Sequence, residues 1–292
     1  MGLFSGFEHI VREQEPLASY TWLRLGGAAE YFAEPTSVDE LVALVKHCAD
    51  SDVTVRVLGA GSSLLVREAG VSGLVIHLAG AAFSQISTVG NKVVAGGGAK
   101  LSHVISTAVR EGLAGLEALA GIPGTVGGAL HDNADANGTD IGQWTTKATM
   151  LTRQGAIVEQ QSDQLRFAYR SSSLDELAIL SAEFTLEKGD PETLTKRMQK
   201  FWIVKQSNQP AANENPACVF KDVGGMNAGS LIEQAGCKGA SVGNAVVSQR
   251  DSRFIVANPG TTSEDVLQLI EIIQSAVRAQ LGVELETQVQ IW

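Results

Sequence analysis

The chain has 292 residues, of which 44% are hydrophobic and 18% charged, a composition typical of a globular protein with two or three packed units. Its formal net charge is −10 and its basic residues form no run, which argues against a nucleic-acid-binding surface. No stretch is apolar for long enough to span a bilayer, and the first residues lack the features of a signal peptide. We therefore expect a cytoplasmic protein without membrane insertion.

The three cysteines, Cys48, Cys218 and Cys237, lie far apart in the chain. An odd number of distant cysteines favours neither a disulfide framework nor the paired ligands of a zinc site. We therefore expect reduced thiols and no metal centre.

The first half of the chain alternates predicted strands and helices. Residues 37–40, Ser-Val-Asp-Glu, match a capping box and precede apolar residues at helical spacing, which predicts a helix to about Cys48. An amphipathic segment from Leu101 to Glu111, followed by Gly112, predicts a second helix. Predicted strands cover residues 54–58, 64–66, 74–76 and 92–98.

The second half shows the same mixture. Strands are predicted around residues 148–151 and 177–186, and a helix over residues 191–206 begins with a proline in its first turn, at a plausible domain boundary. The remaining predictions are a helix over 227–235 closed by Gly236, a strand over 254–256, a helix over 263–281 stopped by Gly282, and a last strand over 283–291.

Two glycine-rich loops carry the strongest chemical signal. Residues 59–63, Gly-Ala-Gly-Ser-Ser, combine accessible backbone N–H groups with two hydroxyls that suit a phosphate, although an ordinary turn has the same composition. The loop lacks the third glycine and the following helix of a Rossmann fingerprint. Residues 121–129 hold four glycines within eight positions, which lets the backbone approach a flat or charged ligand closely.

Seven segments in order match one known family: residues 23–29, 57–66, 121–129, 167–172, 219–221, 228–236 and 282–286. On these segments the chain resembles the MurB family of UDP-N-acetylenolpyruvoylglucosamine reductases, and its short length resembles the second type of that family. This resemblance implies an α+β fold. It consists of an FAD-binding region of the vanillyl-alcohol-oxidase (PCMH) type in two subdomains, residues 1–80 and 81–195, and a smaller α+β substrate-binding domain, residues 196–292.

The resemblance also implies a reaction. Hydride passes from NADPH to FAD and then to the enolpyruvyl group of UDP-N-acetylglucosamine enolpyruvate, giving UDP-N-acetylmuramate for peptidoglycan synthesis. The partner is then a small UDP sugar, and we expect a monomer. The implied cofactor-binding residues are Gly59, Ala60, Gly61, Ser62, Ser63, Gly121, Ile122, Pro123, Gly124, Thr125, Gly127, Gly128 and Asn133.

The family's Tyr-Arg pair matches Tyr169 and Arg170, which implies that Tyr169 contacts the substrate and that the Arg170 guanidinium stabilises its carboxylate. The alternative for Arg170 is a surface ion pair with Asp175 or Glu176. Lys221 matches a lysine that meets the diphosphate or the carboxylate, although any exposed lysine can be merely solvated.

Two implied catalytic positions depart from the family. Cys218 stands where the family has a proton-donating serine, and a thiol is a chemically sensible donor, although a cysteine can also be a small buried hydrophobe. Gln288 stands where the family has a glutamate, and an amide cannot carry that charge or proton. Glu286 lies two residues earlier on the same predicted strand and would substitute if the strand shifted by two residues.

Four further charged residues depart from the family pattern. Asp132 and Asp135 replace an apolar residue and a glycine on either side of the family's Asn-Ala pair, which this chain keeps, and Asp251 and Arg253 replace a His and an Asn. Three hypotheses follow: an active reductase, a flavin- or UDP-sugar-binding homologue with a sensing or regulatory role, and a related FAD oxidoreductase acting on another substrate.

Overall fold

The computed structural model describes residues 2–292, which form two compact units. Unit 1 comprises the chain up to Gln14, Glu30–Ala60 and Ser72–Val204, and unit 2 comprises Glu15–Ala29, Gly61–Val71 and Lys205–Trp292. Each unit therefore draws on separate stretches of the sequence. The three contiguous domain ranges expected from the sequence stay predictions.

A four-stranded sheet lies mainly in unit 1. Its strands follow the order Val11–Pro16, Ala28–Ala33, Val71–His77 and Val55–Leu58. The last two strands run parallel, and helix α1 (Val38–Asp50) contributes Leu41, Leu44 and Val45 to the apolar core shared with this sheet.

Helix α1 begins where the sequence predicts. The Ser37 hydroxyl accepts the N–H of Glu40 at 3.2 Å, which caps the helix. The reciprocal half of the capping box is different, because the Glu40 carboxylate accepts the N–H of Thr36 at 2.6 Å.

A five-stranded antiparallel sheet forms the second layer of unit 1. The strand order is Ile157–Gln161, Thr145–Leu151, Ala178–Thr185, Lys92–Gly96 and Ile86–Val89. Helices α2 (Leu101–Arg110) and α3 (Val126–His131) bury their apolar residues in the same core as this sheet. Helix α4 (Pro191–Asn208) follows and buries only Leu194.

Unit 2 contains a four-stranded antiparallel sheet with two helices. The strands follow the order Pro216–Cys218, Phe254–Ala257, Ala245–Val247 and Ser241–Val242. Helices α5 (Ala228–Gln234) and α6 (Ser263–Leu281) supply much of the core. Helix α6 has the predicted bounds, since Thr262 caps its first turn and Gly282, at φ +68°, ends it in the left-handed conformation.

The predicted last strand, residues 283–291, is wrong in extent, because only Gln290–Ile291 is a strand. The segment changes neighbours along its length. The N–H of Gln288 donates to Val219 O at 2.6 Å, whereas the N–H of Gln290 donates to Ser63 O at 2.9 Å. No single partner strand therefore forms a continuous ladder with it.

The mixed α+β class predicted from the sequence is confirmed. Across residues 2–292, no helix combines the length and the apolarity needed to cross a membrane.

Candidate functional site

The two glycine-rich loops adjoin in unit 1. A Cβ added to Gly59 would lie 3.0 Å from the Thr125 hydroxyl oxygen. Residues 121–125 are half-buried, as are Gly59 and Ala60. Two segments that the sequence assigned to one cofactor are therefore neighbours.

The second loop is held at its end by the first turn of helix α3. Gly121 and Gly124 have φ values of +86° and +128°, which L-residues with side chains rarely adopt. The N–H of Gly127 donates to Gly97 O at 2.7 Å, and the N–H of Gly128 donates to the Thr125 hydroxyl at 3.3 Å. These two amides are engaged within the protein, so they fix the shape of the loop.

Gly97 is a supporting residue that sequence reasoning missed. A Cβ there would lie 1.8 Å from Ile179 O, so the position accepts only glycine. The run of three glycines at residues 96–98 could have indicated this supporting role, because a buried strand does not need three consecutive glycines.

The first loop continues from unit 1 into unit 2 at Gly61. Gly61 has φ +63°, and a Cβ there would lie 2.1 Å from Tyr20 O. Ser62 and Ser63 follow, half-exposed, and their hydroxyls make no hydrogen bond to any of the residues 2–292. Small residues, a tight backbone and two available hydroxyls fit a phosphate-bearing cofactor such as FAD.

Arg170 sits at the turn of a short hairpin in unit 1. Strands Phe167–Ala168 and Ser171–Ser172 pair, and Tyr169 and Arg170 form the connection, with Arg170 at φ +54°. The guanidinium carbon of Arg170 lies 5.8 Å from the centre of the Tyr169 ring. The side chain of Arg170 is 18% exposed, so its guanidinium is neither deeply buried nor freely solvated.

The segment after helix α3 holds this hairpin. The Ser172 hydroxyl donates to His131 O at 3.0 Å, and the Asn133 amide Nδ2 donates to Ala168 O at 2.9 Å. Asn133 Oδ1 also accepts the N–H of Gly142 at 3.1 Å. The structure thus gives Asn133 a bracing role in the protein, and its expected contact with the cofactor stays a prediction.

The ion-pair partner of Arg170 is Asp135, a residue to which the sequence analysis gave no such role. Arg170 Nε lies 3.0 Å from Asp135 Oδ1. Both atoms are shielded from solvent, yet their alignment does not meet hydrogen-bond geometry, so the attraction is chiefly Coulombic. Asp175 and Glu176, the partners considered from the sequence, do not take this position.

Asp132, the other carboxylate by which this segment departs from the family pattern, is also paired. His131 Nδ1 lies 2.8 Å from Asp132 Oδ1, and this hydrogen bond raises the pKa of His131 above its ordinary value, with burial opposing the shift. Asp132 and Asp135 therefore do not present two uncompensated negative charges.

The three cysteines occupy different environments, and none is in a disulfide. Burial raises the pKa of Cys48 to about 11 and also raises the pKa of Cys237. Cys218 is half-buried at the end of its strand, with Sγ 4.0 Å from Phe220 O. Cys218 is thus the thiol with the greatest access to solvent or a ligand.

Arg253 forms a charged group with two aspartates near Cys218. Its guanidinium donates to Asp251 from Nε at 3.1 Å and from Nη2 at 2.8 Å, and it lies 3.5 Å from Asp222. The hydrogen bonds to Asp251 raise the pKa of Arg253, and its charge also interacts with Cys218. The two residues that depart from the family pattern here, Asp251 and Arg253, are partners of each other.

The C-terminal segment brings the remaining predicted residues together in unit 2. The bridge between Phe220 and Thr287 places Gln288 opposite Val219 and Glu286 opposite Lys221. Lys221 Nζ lies 3.7 Å from Glu286, whose side chain is 76% exposed.

This register is fixed by several contacts. The N–H of Lys221 donates to Glu286 O at 3.0 Å, and the Gln274 amide donates to Leu285 O at 2.9 Å. Leu285 and Val289 are buried on the other face of the segment. A slip by two residues would break these contacts, so the structure gives Glu286 no route to the place of Gln288.

Within residues 2–292, no cluster of three or more His, Cys, Asp or Glu side chains is arranged to hold a metal ion.

Comparisons with known proteins cover nearly the whole chain. The family described as "UDP-N-acetylenolpyruvoylglucosamine reductase, C-terminal domain" matches residues 209–292, and the family described as "FAD binding domain" matches residues 29–160. A UDP-N-acetylenolpyruvoylglucosamine reductase of Rhodopirellula baltica is 38% identical over 284 residues, covering 97% of this chain and 93% of the relative. The corresponding protein of Listeria monocytogenes is 37% identical over 290 residues, covering 98% and 96%.

A solved structure agrees with these similarities. The crystal structure of UDP-N-acetylenolpyruvylglucosamine reductase from Thermus caldophilus has a TM-score of 0.82 and 32% sequence identity, and the match covers 97% of this chain and 99% of that one.

Proposed function

Since this chain belongs to the UDP-N-acetylenolpyruvoylglucosamine reductase family, we propose that it reduces UDP-N-acetylglucosamine enolpyruvate to UDP-N-acetylmuramate, with NADPH and FAD, for peptidoglycan precursor synthesis. The family resemblance inferred from the sequence is confirmed, and so is the FAD-binding domain. The observation that carries the proposal beyond family membership is the contact between the glycine-loop region and the Arg170 hairpin through His131 and Asn133.

The adjoining loops support FAD binding. Gly59, Gly61, Gly121 and Gly124 keep side chains out of the loops, and Ser62 and Ser63 offer hydroxyl donors. When bound, FAD supplies the capacity to accept hydride from NADPH and deliver it to the substrate. The residues of the chain must then orient the substrate and manage its charge and its proton.

Arg170 is the residue proposed to manage the charge. Negative charge accumulates on the substrate carboxylate and adjoining carbon as hydride adds to the double bond. A guanidinium held beside that carboxylate stabilises this charge, and its planar donors match two oxygens at once. The restrained turn and the 18% exposure of Arg170 support this role because a fixed, partly desolvated cation acts more strongly than a solvated one.

Cys218 is proposed to supply the proton. An ordinary thiol has a pKa of about 8.5 and is therefore mostly protonated near pH 7. The S–H bond breaks as a C–H bond forms at the carbon next to the hydride acceptor, and the resulting thiolate recovers its proton from solvent.

Gln288 and Lys221 are proposed to assist. The amide of Gln288 can orient a substrate oxygen or a water molecule, although it adds no charge. Lys221 is paired with an exposed carboxylate at 3.7 Å, a weak contact that a substrate phosphate can displace. Tyr169, which is 51% exposed, offers an aromatic face and a hydroxyl. We also propose that the enzyme is cytoplasmic and monomeric.

A binding homologue without turnover is the alternative, and Gln288 is the observation that favours it. The two added carboxylates, Asp132 and Asp135, would favour it if their charges stood alone, but His131 pairs with Asp132 and Arg170 pairs with Asp135. Anaerobic half-reactions separate the two functions.

The FAD-loaded protein is first reduced with NADPH and then mixed with UDP-N-acetylglucosamine enolpyruvate, while the flavin absorbance is followed. We expect the sugar to reoxidise the flavin and UDP-N-acetylmuramate to appear by mass spectrometry. If the flavin is reduced by NADPH and the sugar binds but does not reoxidise it, the result would contradict the proposed reaction and support the binding function. A reduced protein that neither reacts with nor binds the sugar would point to another substrate.

A further inference from the structure

The chain from the last residue of helix α3 to Asp135 meets the Arg170 hairpin at alternate residues. His131 accepts from Ser172, Asn133 donates to Ala168, and Asp135 lies 3.0 Å from Arg170. The first two contacts involve backbone carbonyls and fix the hairpin itself. The third involves two side chains and acts on the guanidinium alone.

Asp135 is itself held in a short hairpin. Asp135–Ala136 pairs with Thr139–Asp140, and the connecting Asn137 and Gly138 both have positive φ, at +52° and +83°. An Asn-Gly pair is favoured at such a two-residue turn, so the carboxylate is carried on a well-defined backbone. Two tight hairpins thus present one side chain each to the other.

The contact engages one edge of the guanidinium. Arg170 Nε and Asp135 Oδ1 are both shielded from solvent, and the Tyr169 ring lies near the guanidinium carbon. No other residue among 2–292 hydrogen-bonds the two terminal nitrogens of Arg170. Those nitrogens are the donors that bind a carboxylate in a two-point manner.

We propose that Asp135 is a positioning residue for Arg170, holding the guanidinium by its Nε edge so that its terminal nitrogens face the carboxylate of the substrate. This proposal rests on the proposed function. It gives a role to a residue that stands where the family pattern has a glycine. The negative charge of Asp135 then serves to orient Arg170.

The charge of Asp135 has a second consequence. It partly offsets the positive charge of Arg170, so it should weaken binding of an anionic substrate while improving the orientation of the guanidinium. Removing the charge should therefore lower kcat and leave KM unchanged or lower. A general loss of structure would instead lower the melting temperature and the FAD content.

The test uses the FAD-loaded enzyme with Asp135→Asn, Asp135→Glu and a matched control, Asp175→Asn. Asp175 is exposed, lies soon after the same hairpin and loses the same charge in the control. The first readout is the Nε–H signal of Arg170 in arginine-labelled protein, assigned with Arg170→Lys. We expect a signal protected from solvent exchange in the wild type and in Asp175→Asn, and loss of that protection in Asp135→Asn.

The second readout is kinetic. We expect kcat to fall about tenfold in Asp135→Asn, with KM for the UDP sugar no higher and with flavin reduction by NADPH within about twofold of the wild type. Asp135→Glu, which keeps the charge, should recover part of the loss. An unchanged Nε signal and unchanged kcat in Asp135→Asn would overturn the proposal, as would an equal fall in the rate of flavin reduction.

The two proposals fail in different ways. An FAD-loaded wild type that is reduced by NADPH but never turns over the sugar would contradict the proposed function. The exchange protection of the Arg170 signal would then still decide whether Asp135 holds the guanidinium.

Discussion

The candidate residues of unit 1 and those of unit 2 depart from the family pattern in different ways. In unit 1, the family's Tyr-Arg pair and second glycine loop are present, and the departures add carboxylates that lie 2.8 Å from His131 and 3.0 Å from Arg170. In unit 2, Asp251 pairs with Arg253, and the positions proposed for the proton donor and the catalytic carboxylate hold Cys218 and Gln288. Added charge is compensated locally in both units, whereas the proposed proton-handling positions that depart from the family pattern lie in unit 2.

Unit 1 is expected to supply the charge stabilisation essential to the reaction, through Arg170. Arg170→Ala should lower kcat about 1000-fold, since the substrate loses a preorganised cation. Steady-state kinetics with the UDP sugar measure the effect. Arg153→Ala is the matched control, because Arg153 is exposed in a turn of the same unit, and its kcat should stay within about twofold of the wild type. Equal activity of the two variants would remove Arg170 from the reaction.

Unit 2 should contain the reactive thiol. In the native protein, alkylation of Cys218 should be at least about 100-fold faster than alkylation of Cys48, which is fully buried and has a pKa raised to about 11. Peptide mass spectrometry after brief iodoacetamide treatment measures each site. Cys218→Ser should abolish the fast modification, and unfolding should expose all three thiols. Equal native rates at Cys48 and Cys218 would contradict the burial difference.

Restoring the carboxylate in unit 2 should increase turnover. Gln288→Glu should raise kcat about tenfold, because a carboxylate offers charge and proton capacity that the amide lacks. Gln290→Glu, on the same terminal segment but exposed, is the control and should leave kcat unchanged. A fall in kcat in Gln288→Glu would show that the unit 2 site has adapted to the amide.

The smallest effect concerns the charge pair of unit 1. Because Asp132 raises the pKa of His131 above 6.5, the pair stabilises the fold fully below that value, and its contribution is lost as the pH rises through the folded-state pKa. The contribution is at most ~0.5 kcal/mol, since the His131 side chain is 47% exposed and solvent screens the pair. Urea unfolding at about pH 6 and about pH 8.5 should show this loss in the wild type and not in Asp132→Asn. Identical pH dependence in both proteins would exclude the pair as a source of stability.

Local signals in the sequence predicted much of the fold. Helix α6 has the expected bounds because its cap and its terminal glycine act within one turn of the chain. The last strand was mispredicted because its extent depends on two different neighbours, at Val219 and Ser63, that periodicity cannot identify.

The same distinction applies to the site. The glycine loops and the Tyr-Arg pair are recognisable as short motifs. The pairing of Arg170 with Asp135 was missed because it arises between two separate hairpins, and the nearby Asp175 and Glu176 were the only partners that sequence proximity suggested. Asp135, a charged residue at a glycine position of the family pattern, was the available signal. Its pairing with Arg170 became visible only in the structure.

The proposed role of Cys218 is to deliver the proton in unit 2, although the family pattern has a serine at this position. The most direct measurement is the single-turnover reoxidation of NADPH-reduced enzyme by the UDP sugar, in the wild type, Cys218→Ser and Cys218→Ala. We predict that Cys218→Ser retains turnover and that Cys218→Ala loses between about 100-fold and 10,000-fold, with flavin reduction by NADPH unchanged in both. Wild-type reoxidation rates in Cys218→Ala would contradict the claim.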